Sequence, residues 1–81
     1  MKIQATKTLH ISGSDSDGGV GIALIRQLAP AVVCATFDYT SPYGEGDYFS
    51  VDHFTEWEEA CGHARGVLRE EKIRDQQEVF L

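Results

Sequence analysis

Val20-Gly21-Ile22-Ala23-Leu24-Ile25-Arg26-Gln27-Leu28 is the stretch on which the fold turns. Read with a period of two it is a strand, with Val20, Ile22, Leu24 and Leu28 pointing inward. Read with a period of 3.6 it is a helix of about two and a half turns. The β-branched residues Val20, Ile22 and Ile25 favour the strand, while Leu24 and Ala29 favour the helix. The shortness of the run also favours the strand. As a strand it completes the order β-β-β-β-α(-β). That order implies an α+β fold: an antiparallel sheet of four to five strands with one amphipathic helix packed on one face. As a helix it would make the first half β-α-β with a parallel pair.

Working outward toward the N-terminus, Ile3 to Ser12 alternates. Ile3, Ala5, Leu9 and Ile11 share one side, and Gln4, Thr6, Thr8, His10 and Ser12 share the other. This predicts a half-buried strand, and Lys7 on its apolar side suits an edge position. Gly13 to Gly19 is a loop cluster. Toward the C-terminus, Pro30 interrupts the pattern, and Ala31 to Tyr39 is β-branched and aromatic enough to predict a strand. Ser41 to Asp47 predicts a turn and Tyr48 to Val51 a short strand, together a second hairpin.

Phe54, Trp57, Cys61, Ala64 and Leu68 recur at alternating spacings of 3 and 4, the stripe of an amphipathic helix. Asp52 or Thr55 is placed to cap it, and Thr55-Glu56-Trp57-Glu58 fits a capping box. Acids lead the helix and Arg69, Lys72 and Arg74 end it, as the helix dipole favours. Glu70 and Arg74 are spaced to pair. Gly62 and Gly66 share one side, which suits close approach by another backbone. The tail Glu78-Val79-Phe80-Leu81 is placed to dock as a last strand.

With 81 residues the chain makes one small α+β domain over 1–81, too small for an α/β barrel or a complete doubly wound nucleotide enzyme. Two cysteines, Cys34 and Cys61, fit reduced thiols and a cytoplasmic setting better than a secreted disulfide scaffold. Neither a signal peptide nor a membrane span is expected from the apolar runs. The net charge of −6 is unevenly spread. Residues 27–64 lack Lys and Arg entirely and hold Asp38, Glu45, Asp47, Asp52, Glu56, Glu58 and Glu59. Such a field opposes direct nucleic-acid binding and suits a basic partner surface.

The residues suited to metal binding or nucleophilic chemistry do not assemble by spacing. His10, Cys34, His53, Cys61 and His63 include no zinc-type pair, so no metal site is expected. Asp15-Ser16-Asp17-Gly18 resembles the opening of a calcium loop but lacks the third ligand and the distal Glu. The serines and histidines show no nucleophile–base pairing. No catalytic residues and no cofactor are expected.

Two resemblances add to this. Ile11 to Ile22, with Gly13, Gly18, Gly19 and Gly21, resembles the first strand and turn of hydroxymethylpyrimidine kinases of the ribokinase-like superfamily. Gly44-Glu45-Gly46-Asp47 resembles that superfamily's G-x-G-D signature. The resemblance implies a helix after the first turn, Asp47 as base and Gly44 to Gly46 as an anion hole. The chain is far shorter than that fold. Kept from it is the alternative of a small phosphate or nucleotide ligand on glycine loops 13–21 and 44–47.

The size, acidity, strand-rich start and single helix resemble small phage-encoded inhibitors of the anti-CRISPR type. That resemblance implies a non-enzymatic protein acting in the cytoplasm of a host cell, which presents acids to occlude a basic, nucleic-acid-binding site on a larger protein. The expected contact set is Asp38, Tyr39, Tyr43, Glu45, Asp47, Tyr48, Asp52, Glu56 and Glu59, with the tyrosines as anchors. A further alternative is an antitoxin-like module that forms a homodimer through a sheet edge or through Gly62 and Gly66.

Overall fold

Residues 20–29 are a strand, and the α+β expectation holds. The structure is a computed structural model that describes residues 6–43 and 47–81, with Tyr48 described in its backbone. Strand β1 (Lys7–Ser14), β2 (Val20–Ala29), β3 (Val32–Thr40) and β4 (Tyr48–Phe54) precede helix α1 (Trp57–Glu70), and β5 (Gln77–Phe80) follows it. The five strands form one antiparallel sheet in the order β4-β3-β2-β1-β5. The C-terminal tail therefore docks as a last strand, as its apolar end predicts. The helix lies across one side of the sheet, over β2, β3 and β4.

Period two assigns every strand residue to one side or the other. The helix side carries the row Phe80, Leu9, Ile25, Ala35 and Asp52, and beside it Glu78, Ile11, Ala23, Phe37 and Ser50. Leu9, Ile11, Ala23, Ile25, Ala35 and Phe37 are fully buried there against Ala60, Cys61, Ala64 and Leu68 of α1. Full burial of side chains of the Leu, Ile and Phe type contributes roughly 1.5–3 kcal/mol each, so this layer holds most of the stability.

The inward set of β2 is the opposite of the one expected. Gly21, Ala23 and Ile25 face the helix, while Val20, Ile22 and Leu24 face away. The reason is room. Gly13 and Gly21 are cross-strand partners, and Ile73 sits over them. A Cβ built on Gly13 would lie 2.6 Å from Ile73 Cγ2, and one on Gly21 would lie 2.9 Å from Ile73 Cγ1. Larger residues in this phase would exclude the loop that follows α1.

Lys7 does not mark an edge. β1 lies inside the sheet between β2 and β5, and Lys7 falls beyond the end of the β5 pairing. Its ammonium sits 4.4 Å from the centroid of the Trp57 ring, a favourable cation–π position. Trp57, part of the helix's apolar stripe, packs at the margin of the core and stacks on Phe80 with centroids 6.5 Å apart.

The helix starts later than its apolar stripe suggests. Phe54 pairs with Val33 and belongs to β4, so neither Asp52 nor Thr55 caps the helix. Glu56 is the N-cap, without a side-chain bond. At the other end Ile73 N–H donates to Leu68 O and Lys72 N–H to Arg69 O, the two bonds of a Schellman cap. Lys72 takes the left-handed position at φ 63°. The cap turns the chain away at Glu70, so Glu70 and Arg74 do not face each other along a helix. Among the described residues nothing outside the helix lies within 4 Å of a Cβ built on Gly62 or Gly66, so these glycines serve no close approach to them.

Candidate binding surface

The side of the sheet away from α1 is uncovered by any described element. Its central row crosses all five strands: Val79, His10, Leu24, Thr36 and Val51. The next row is Gln77, Ser12, Ile22, Asp38 and Phe49. Strand alternation places these side chains together on one surface. Phe49 is 65% exposed, Val79 52% and Val51 45%. Ile22 and Leu24 are half-buried. Asp38 is the one acid among the described strand residues of this side, flanked by Ile22 and Phe49. At its far end Cys34 is nearly buried between its cross-strand neighbours Arg26 and His53.

The expected contact residues divide among several places. Tyr43 (80% exposed) and Asp47 lie in the β3–β4 connection, where Asp47 accepts the Ser41 N–H at 2.6 Å. Glu45 lies outside the described residues, and Tyr48 opens β4. Asp52 projects on the helix side, where its carboxylate is 3.4 Å from His63 Nε2. Glu56 and Glu59 stand at the start of α1, on the same stripe as His63 by their i, i+3 and i+7 spacing. Asp52, Glu56 and Glu59 thus share one margin of the molecule, and Asp38 is on the opposite side of the sheet. A shallow groove of about 400 Å³ runs beside that margin, lined by Val32, Val33, His53, Phe54 and Glu59 among others.

Tyr39 has an internal task. Its hydroxyl donates to Asp15 Oδ2 at 2.6 Å, while the Asp17 and Gly19 N–H groups donate to Asp15 Oδ1 at 2.9 and 2.8 Å. The bond from Tyr39, and then that from Gly19, holds the Asp15 carboxyl below its ordinary value. The same bond, with partial burial and the Asp15 charge, pushes Tyr39 up to about 12. The carboxylate that opens the calcium-like stretch is therefore occupied in closing the β1–β2 turn.

The glycines of that stretch also have a structural use. Val20–Ala29 continues as a strand rather than a helix, and the space over Gly13 and Gly21 is filled by Ile73. The Gly44-Glu45-Gly46 turn lies outside the described residues. Cys61 is buried beneath the helix, and that burial raises its thiol above the ordinary range. Cys34 and Cys61 are both free. Among the described residues no group of three or more His, Cys, Asp or Glu is placed to hold a metal ion. Among the described residues no helix is long and apolar enough to cross a membrane.

Comparison with known proteins yields no match to a family model, to a curated protein or to a solved structure. The surface itself is the available guide to function. Sequence reading missed Ile22, Leu24, Val51, Phe49 and Val79 as surface residues. The signal was present in β2, where apolar residues occupy both phases and the bulkier ones do not all share the covered side.

Proposed function

We propose that this chain is a non-enzymatic binding protein that lays its uncovered sheet side on a larger protein and thereby occludes it. The supporting observation is the orientation of β2, whose Ile22 and Leu24 point away from the single helix into a surface shared with Phe49, Val51 and Val79. Contiguous exposed apolar area of this kind marks an interaction site. The net charge of −6 sets the sign of the partner, a basic surface steered in by the acidic field. Asp38, set among apolar neighbours, is the residue to meet an Arg or Lys there. A nucleic-acid-binding groove has this combination of basic and apolar character, and blocking it is inhibition by occlusion.

Affinity capture with the tagged chain tests the reading. Lysate of a candidate host at about 0.1 M salt preserves acidic–basic contacts. One stoichiometric partner with a basic groove, released at high salt, is expected. Thr36→Lys and Asp38→Lys, which change the middle of the uncovered side, should weaken its binding about tenfold or more. Glu56→Lys with Glu59→Lys, at the helix margin, should leave it largely intact. An empty capture, or a partner lost only with the helix-margin variant, would overturn the assignment.

A further inference from the structure

The two edges of the sheet are built differently. β5 is four residues long, and its Glu78 is held by a bidentate pair from Arg65 at 2.7 Å. β4 is seven residues long and pairs with β3 without a bulge. It contains no Lys, Arg, Pro or Gly, and Asp52 is its only acid. The usual devices that keep an edge from pairing with another strand are brevity, a Pro, a bulge, or a charged side chain on the edge or pointing inward. β4 has one of these, the Asp52 carboxylate on the helix side, and that carboxylate is held by His63 Nε2 at 3.4 Å. Among the described residues no strand pairs with its outer row of N–H and C=O groups.

The sequence of β4 also matches itself when reversed. Tyr48-Phe49-Ser50-Val51-Asp52-His53-Phe54 runs aromatic, aromatic, polar, Val, polar, aromatic, aromatic from either end. A two-fold interface demands this kind of self-complementarity, because each residue i that meets j must also be met as j by i. We propose that two copies of this chain pair through β4, antiparallel about a two-fold axis at Val51. The sheets of the two copies would then join into one continuous sheet.

That register follows from three constraints. A two-fold axis perpendicular to the sheet keeps each side of one copy continuous with the same side of the other, so opposed positions must share parity. Centring on Asp52 sets two carboxylates directly opposite, which is destabilising. Centring on Ser50 leaves the last two residues of β4 unpaired. Centring on Val51 pairs the whole strand, setting Phe49 opposite His53 of the second copy and Ser50 opposite its Asp52. Both helices then lie on one side and both uncovered sides merge on the other. The pairing does not depend on the occlusion reading, since it uses the edge and leaves the central row Leu24 and Thr36 open.

The test is the mass of the full chain in solution, followed by sedimentation over concentrations from about 1 to 500 µM, the range suited to a small interface. The mass is expected to rise from 9.0 kDa toward twice that value. Phe49→Lys alone and His53→Glu alone should each raise the dissociation constant about tenfold, since each spoils a cross-strand pair twice over. The double variant should restore association to within about threefold, because each new lysine faces a new glutamate across the axis. These residues are exposed, and circular dichroism checks that each variant is folded. Val51→Cys should crosslink readily under oxidation, since opposed Cα atoms at about 4.5–5.5 Å lie within disulfide reach. Ser50→Cys should not. Thr36→Lys should leave the mass unchanged, so loss of partner capture and loss of pairing are read separately. A chain that stays at 9.0 kDa throughout, or a double variant no better than the singles, would overturn the proposal.

Discussion

The two sides of the sheet make opposite use of similar residues. On the helix side Leu9, Ile11, Ile25, Val33 and Phe37 have no more than 1% of their surface exposed. On the other side Val20, Val32, Phe49, Val51 and Val79 are at least 42% exposed. In β2 the difference is sharpest. The chain places Gly21 and Ala23 under α1 and its following loop, and Ile22 and Leu24 on the uncovered side. Bulk alone would argue for the reverse. What decides is fit: the covered side already holds Ile73 and Leu68 above Gly21, and interiors packed to crystal density do not admit extra methylenes freely. Size of side chain is therefore a poor guide to which side of a strand is inside when both sides are apolar.

The largest effect should come from the covered side. Phe37→Ala is expected to cost about 3–5 kcal/mol, the range for emptying a buried aromatic site, against a total of about 5–15 kcal/mol for a small domain. Leu24→Ala on the uncovered side should cost about 1–2 kcal/mol in dilute solution, since Leu24 is only half-buried and its removal leaves no closed cavity. Urea unfolding of both variants measures the gap. Equal losses would mean that the uncovered side is buried in the folded protein in solution, and the contrast would fail.

A middle-sized effect should come from the glycine seat. Gly21→Ala brings a Cβ to 2.9 Å from Ile73 Cγ1 and 3.2 Å from Leu68 Cδ2, and overpacking of this kind costs about 1–3 kcal/mol. Ile73→Ala removes the atoms in conflict. The double variant should then lose less stability than the two singles together, and thermal melts of the three proteins would show it. Simple additivity would separate Gly21 from the choice of side.

The smallest effect belongs to the turn that joins β1 and β2. Asp15 titrates below its ordinary value of 3.8 when folded, so its contribution is present above that pH and is lost as pH falls through the folded value. Tyr39 titrates at about 12 rather than 10.0, so its contribution is present below pH 10.0 and is lost as pH rises toward 12. Between these limits the pair should give a flat stability profile. Tyr39→Phe should remove the Tyr39 share of the alkaline fall, leaving that of the buried Cys61 thiol, and lower the melting temperature less than Phe37→Ala or Gly21→Ala, as pH-resolved melts would record. An unchanged alkaline limb would show that the Asp15–Tyr39 bond does not hold in solution.

The acidic segment shows what charge counting misses. Residues 27–64 hold an unbroken excess of acid, yet strand alternation sends Asp38 to one side and Asp52 to the other, while Glu56 and Glu59 open the helix. Tyr39, attractive as an exposed anchor, sits opposite Gly21 on the helix side and bonds Asp15. Neighbours in sequence diverge in a strand because successive side chains point oppositely. The pattern was readable, but it required knowing where β3 and β4 begin and which side faces the helix.

Most strands, their turns and the helix were legible in this chain because their signals are local: alternation in residues 7–12, β-branched and aromatic residues over 31–39, Gly and Pro at the turns, and a 3,4 stripe through Trp57, Cys61, Ala64 and Leu68; residues 20–28 fitted both strand and helix. The concentration of acid was legible for the same reason. The inner side of β2, the interior position of β1 and the division of the acids were settled only when distant segments met. Leu68 and Ile73 come from far along the chain to cover Gly21, and β5 closes over β1 at the last residues. Periodicity is a property of a few neighbouring residues, whereas the choice of side is a packing decision made between segments that the chain order keeps far apart.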